Sequence, residues 1–122
     1  MDNRGIATEF LRLCARGDVR EAYARFVSDD FVHHNPWFAG DRESLLVAME
    51  QSAAAEPNKS LEVKQVIDGG DRVAVHSHLT RADAGLQYAV VHIARIEHGR
   101  IVELWDLAQE LPGESPNANG MF

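Results

Sequence analysis

The chain has 122 residues, 45% of them apolar and 25% charged, the size and make-up of one globular domain with its own core, which excludes disorder, collagen-like repeats and low complexity. Twelve Lys and Arg stand against 19 Asp and Glu, a net charge of −7 that opposes binding to phosphate backbones or anionic lipid, so no nucleic acid partner is expected. The longest apolar run is the five residues Leu45 to Met49, far short of the roughly 20 that span a bilayer, and no basic-then-apolar leader opens the chain, so the expectation is no membrane and a cytoplasmic protein.

Ile6, Phe10, Leu13 and Cys14 recur at spacings of three and four, the period of a helix, which Gly17 ends. Cys14 is the only cysteine and, among Phe10, Leu11 and Leu13, reads as a small buried hydrophobe. Val19, Ala22, Tyr23, Phe26 and Val27 form the stripe of a second helix, with Asp18 and Glu21 at capping-box spacing. A short extended piece, Phe31 to Asn35, runs into Pro36, which turns the residue before it away from helix. Asp41 then reads as the cap of a third helix carrying Leu45, Leu46, Met49 and Ala53 and ending before Pro57.

From Asn58 the period becomes two. Leu61, Val63, Gln65 and Ile67 alternate with their neighbours, and Asp68-Gly69-Gly70-Asp71 turns the chain into Val73, Val75, Ser77 and Leu79. A turn at Ala82 to Gly85, a third strand from Gln87 to Glu97, a turn at His98-Gly99 and a fourth strand from Arg100 to Gln109 follow. Helices before an antiparallel meander predict an α+β fold with the helices on one face of a curved sheet. Residues 112–122, rich in Pro, Gly, Ser and Asn, read as an irregular tail of the single domain 1–122.

The turn at Gly99 decides which side chains meet. In a three-residue bulged turn Ile96 pairs with Arg100 and Val90 with Asp106, placing Val90, His92 and Ala94 on one face with Val102, Leu104 and Asp106, so that an imidazole and a carboxylate share an apolar wall. A two-residue His98-Gly99 turn shifts the register by one and sets Trp105 opposite His92. We favour the bulged form, in which the apolar wall disfavours the charged carboxylate of Asp106 and suits it to acid/base work. Arg95, Glu103 and Trp105 then share the other face with Val91, Ile93 and Ile101. A sheet apolar on both faces needs cover on both sides, and either a second subunit or the folded-back tail, with Met121 and Phe122 as its plug, would supply it.

The order of elements, with Phe-Val-His-His-Asn-Pro at 31–36, Ile-Glu-His-Gly-Arg-Ile-Val-Glu-Leu-Trp-Asp at 96–106 and the ending Glu-Ser-Pro-Asn-Ala-Asn-Gly-Met-Phe at 114–122, resembles the SnoaL-like polyketide cyclase branch of the nuclear transport factor 2-like superfamily over essentially the whole chain. The resemblance implies a cone-shaped domain, a curved antiparallel sheet wrapped around N-terminal helices (cystatin-like), and commonly a homodimer through the outer sheet face. It implies that Asp106, matched through Trp-Asp, is the acid/base residue. At His92 many relatives carry aspartate, the position where ketosteroid isomerases hold a protonated acid. A neutral histidine also donates one hydrogen bond, so the electrophilic role is compatible with this departure. The superfamily spans cyclases, isomerases, an epoxide hydrolase, dehydratases and binding proteins, and its fold alone does not select among them.

His34, in the His-Asn-Pro element, is expected to point into the mouth of the cone while His33 faces away and Asn35 serves the turn. Trp37 is expected at the rim, and Met49, Val90 and Leu104 as pocket lining. His76 and His78 form a His-x-His on one strand. They read as pocket-lining, or, with His92 as third ligand, as a metal site, although the downstream Glu of cupin-type sites is missing. No phosphate loop, nucleophile elbow or dinucleotide fingerprint occurs, so no cofactor and no metal are expected. The expected activity is a cofactor-independent lyase or isomerase of the SnoaL-like aldol cyclase type, transferring a proton next to the carbonyl of a hydrophobic small molecule, with Asp106, His92 and His34 catalytic. The competing expectation is a non-catalytic ligand-binding or dimeric scaffold protein.

Overall fold

A computed structural model describes residues 1–122. Helix α1 (Asn3–Arg16) starts where the Asp2 carboxylate accepts the Gly5 N–H at 2.8 Å and ends at Gly17, whose φ of 96° lets the Asp18 N–H return to the Leu13 carbonyl at 2.9 Å. Helix α2 (Val19–Phe26) follows at once, but Asp18 does not cap it. Its carboxylate takes the Arg16 guanidinium at 2.7 Å instead. Helix α3 (Arg42–Ala55) is capped as expected by Asp41, which accepts the Ser44 N–H at 3.1 Å.

The strands are β1 (Val27–His33), β2 (Lys59–Asp68), β3 (Arg72–Arg81), β4 (Leu86–Glu97) and β5 (Arg100–Glu110), ordered β1-β5-β4-β3-β2 in one sheet. The α+β class and the helices-on-one-face arrangement are as the periodicities predict. The extended piece read at Phe31 begins earlier, at Val27, and pairs in parallel with β5, so the sheet is mixed. Val27 and Phe31 are buried while Asp29 and Asp30 remain exposed, a charged edge that discourages further strand pairing.

The β4–β5 hairpin differs from the favoured turn. His98 and Gly99 have φ of 50° and 76°, the two left-handed residues of a tight two-residue turn, and Glu97 pairs with Arg100. The bulge lies farther along, where Ile96 pairs with Ile101 but Arg95 pairs with Glu103, leaving Val102 as the extra residue. It restores the parity that the tight turn alone would have reversed. His92 therefore stands directly opposite Asp106, not two positions away, and Trp105 faces Ile93. Ile101, expected on the outer face, is turned inward and fully buried. The core lies between the helices and the inner face of the sheet, where the rings of Phe10 and Tyr23 are 5.6 Å apart and those of Tyr23 and Phe31 6.0 Å.

Beyond β5 the tail is neither helix nor strand. Its final residue folds back onto the outer face, the Phe122 ring stacking 5.5 Å from His76 and 4.5 Å from His78 with the Lys64 ammonium 5.4 Å from its centroid.

Candidate active site

A cavity of about 900 Å³ opens between α1, α3 and the inner face of the sheet, walled mainly by apolar side chains such as Leu11, Met49, Leu61, Leu79 and Val90. Met49 and Val90 line it, and Trp37 stands at its mouth, 83% exposed. Leu104 does not, because its side chain is packed in the core. His76 and His78 do not line it either. Val75 and Ser77 take the inward positions of β3, so period two sends both histidines outward. There Gln65 Nε2 lies 3.0 Å from His76 Nδ1 and His78 Nε2 is 2.7 Å from Gln87 Oε1. His92, on the inner face opposite Val75, cannot join them as a third ligand. Cys14 borders the cavity, but burial pushes its thiol up to about 12, so it is a neutral wall group, not a nucleophile.

The polar centre of the wall is Asp106. His92 Nε2 approaches its Oδ1 at 3.4 Å, and Asn35 Nδ2 donates to its Oδ2 at 2.9 Å. The orientation of the Asn35 amide follows from its other contact, since Oδ1 accepts the Trp37 N–H at 3.1 Å and so must turn Nδ2 toward the carboxylate. Burial pushes the His92 imidazole below its ordinary value, and the Asp106 carboxylate opposes that more weakly. The ring is neutral near pH 7, with Nδ1 buried and without a partner and Nε2 the nitrogen beside the carboxylate.

His34 borders the cavity, but its imidazole is bonded elsewhere, and His33 does not line it. His33 is buried, its Nδ1 accepting the Asn35 N–H at 3.1 Å and its Nε2 donating to the Ala39 carbonyl at 2.7 Å, which braces the loop from within. His34 reaches the outer face of β5. Its Nε2 bonds Glu103 Oε2 at 2.6 Å and its ring stacks on Trp105 at 5.0 Å, so it is not brought to His92 and Asp106. The reason is geometric: its backbone N–H is fixed to the Leu104 carbonyl at 2.9 Å, which continues the parallel pairing of β1 one residue further and sends position 34 to the face of Glu103 and Trp105. Bonds from His34 and from Arg95 Nε at 3.0 Å hold the Glu103 carboxyl below its ordinary range. Asn35, read from sequence as a turn residue, is the member of this loop that bonds Asp106. The His-Asn-Pro element marked the right loop, but strand parity alone selects the wrong member of it.

A second polar group lies at the other end of the cavity. Arg81 meets Glu56 in a two-pronged pair, Nε to Oε1 at 3.0 Å and the terminal nitrogen to Oε2 at 2.7 Å, and its other nitrogen reaches the Tyr88 hydroxyl at 3.4 Å. Lys59 lies beside it and bonds the Ser52 hydroxyl, with no carboxylate in ion-pair contact. Sequence reading missed this end, although Lys59, Leu61 and Val63 already share one parity of β2.

Residues 7–104 match the SnoaL-like domain. The chain belongs to the SnoaL-like domain family. No curated protein matches it. Among solved structures, this SnoaL-like chain is similar to IdmH, a proposed polyketide cyclase from Streptomyces antibioticus, with 20% identity, a TM-score of 0.70 and coverage of 88% of this chain and 93% of that one. It is similar to a proposed ketosteroid isomerase from Kribbella flavida, with 19% identity, a TM-score of 0.72 and coverage of 93% and 82%. A nuclear transport factor 2-like protein of unknown function from Cytophaga hutchinsonii has 17% identity, a TM-score of 0.74 and coverage of 89% and 91%. At these identities the likeness establishes the fold, and the resemblance read from the sequence motifs agrees with it. No helix of this SnoaL-like chain is long and apolar enough to cross a membrane.

Proposed function

We propose that the chain is a cofactor-independent lyase or isomerase that moves a proton next to the carbonyl of a hydrophobic small molecule, in the manner of an aldol cyclase. The observation that carries this reading is the convergence of Asp106, His92 and Asn35 on one spot in an otherwise apolar cavity. Asn35 fixes one carboxylate oxygen and leaves Oδ1 toward the ligand, so Asp106 removes a proton from the carbon beside the carbonyl and becomes the acid. The enolate oxygen gains the charge that the carboxylate loses. The His92 Nε2–H, held only loosely at 3.4 Å, turns from the carboxyl to that oxygen, and the apolar walls strengthen the bond by excluding water. The acid then returns the proton, to carbon in an isomerisation, or in an aldol closure to the alkoxide oxygen left when the enolate carbon bonds the carbon of a second carbonyl. The test is the exchange of the α-protons of decan-2-one into D2O, followed by NMR: the protein accelerates it over buffer and Asp106→Asn does not. No acceleration, or acceleration that survives Asp106→Asn, overturns the reading.

The second reading, a non-catalytic ligand-binding protein, draws on the same contacts, because the carboxylate that Asn35 holds at Oδ2 can bind a ligand through Oδ1 without moving a proton. It predicts decan-2-one binding without exchange. On either reading we place a homodimer interface on the outer face of the sheet. Val91, Ile93 and Trp105 lie there, Leu107 is 56% exposed beside them, and Phe122 of the tail covers only the neighbouring His76 and His78.

A further inference from the structure

We propose that the cavity takes an elongated keto acid, whose carboxylate is held at the far end by Lys59 while its carbonyl lies against Asp106 and His92. The inference rests on the reading of the Asp106 end as a carbonyl site and adds the second half of the ligand.

Lys59 and Arg81 are the only lysine and arginine lining the cavity. They are not equivalent. Glu56 takes the charge of Arg81 through two short bonds, whereas Lys59 has only the neutral Ser52 hydroxyl and forms no ion pair. Two cations thus share the single Glu56 carboxylate, leaving one positive charge in excess at this end of an apolar chamber. Burial pushes the Lys59 ammonium below its ordinary range, against the opposing pull of the Glu56 carboxylate and with a smaller push from Arg81. A single carboxylate satisfies it, and the Tyr88 hydroxyl, on the adjacent wall, is available to the second carboxylate oxygen. A doubly charged phosphate would leave one negative charge unmatched in the same apolar surroundings.

The spacing sets the ligand. Tyr88, Val90 and His92 are successive cavity-facing residues of β4, and four residues of strand separate the polar ends by about 13 Å. Between them the wall is Val90, Leu61 and Leu79, so the connecting part of the ligand is hydrocarbon. A short keto acid would bridge only one end.

The experiment titrates the full chain with 9-oxodecanoate, decanoate and decan-2-one, following the fluorescence of Trp37 at the mouth of the cavity. Wild type prefers 9-oxodecanoate to decan-2-one, and Lys59→Gln reduces that ratio about tenfold. Lys59→Arg retains most of the preference, which separates lost charge from lost structure. Lys59→Gln also weakens decanoate about tenfold, because the carboxylate is what the anchor holds. A wild type that binds the ketone as tightly as the keto acid, a ratio unmoved by Lys59→Gln, or no binding of any of the three overturns the proposal. Proton exchange on decan-2-one is measured in parallel. Exchange without a preference for the acid removes the anchor alone, and the preference without exchange removes only the catalytic reading.

Discussion

Asn35 and Asp106, 71 positions apart, are joined by a 2.9 Å hydrogen bond from the amide Nδ2 to the carboxylate Oδ2. The bond ties the loop after β1 to the inner face of β5, and the Trp37 N–H on the opposite oxygen of the amide prevents it from flipping. Asp106 therefore meets a ligand with one oxygen committed and one offered.

Asp106→Asn is expected to lower proton transfer by about 10²- to 10⁴-fold, the usual worth of a general acid/base, while the thermal midpoint changes little. The amide keeps the shape and can still face Asn35 and His92. NMR exchange rates and a melting curve on the same sample check both halves.

Asn35→Ala is expected to lower exchange about tenfold, since it removes one charge-assisted bond. Asn35→Asp is the sharper variant. It sets a second carboxyl against the first, which disfavours ionisation of the pair and moves the alkaline-going limb of the exchange profile to higher pH. A profile that stays in place would show that position 35 is remote from the proton-transferring group.

His92 gives the fold a pH dependence whose sign follows from its burial. Its folded pKa is depressed, so on acidification the unfolded chain, with an ordinary histidine near about 6.5, takes the proton first. The contribution of His92 to stability is complete above that pH and is lost as pH falls below it. The hydrogen-bonded carboxylates Asp41, Glu56, Asp83 and Glu103 act in the same direction, but only nearer pH of about 4. Urea midpoints between pH 7.5 and 5 should fall in the wild type and hold flat in His92→Gln, with the steeper acid loss common to both.

His34→Ala removes the bond to Glu103 and the stack on Trp105. With His34 half exposed, the loss is expected at about 1 kcal/mol or less, a few degrees in Tm. Because the same loop carries Asn35, exchange should fall as well, and by less than in Asp106→Asn. A variant as inactive as Asp106→Asn would restore His34 to the catalytic group.

Sedimentation at micromolar concentration tests the outer-face homodimer. A dimer dispersed by Trp105→Glu supports it. A monomeric wild type removes it and leaves the Phe122 stack on His76 and His78 as the cover that this face has.

The helices, strands β2 to β5 and the α+β class were legible in the sequence because each rests on local rules: apolar period, the Asp41 cap, the helix-ending Gly17; Val27, read as the end of the second helical stripe, instead opens β1. The pairing of His92 with Asp106 was half legible. Period two put both on one face, but their register depended on a bulge at Val102 that no local signal announces, since a bulge costs little by itself and is selected by the packing of Ile101 beneath it. The division of roles among His33, His34 and Asn35 lay further out of reach. Parity could divide the histidines only by assuming which face of β1 looked inward, and that was decided when β1 docked in parallel on β5 and Leu104 took the His34 N–H. The far end of the cavity is set by pairing and not by motif: Lys59 at the start of β2 and Arg81 at the end of β3 are cross-strand partners, and Glu56 at the end of α3 closes on Arg81, so which of the two cations is left without a carboxylate is settled by the reach of Glu56.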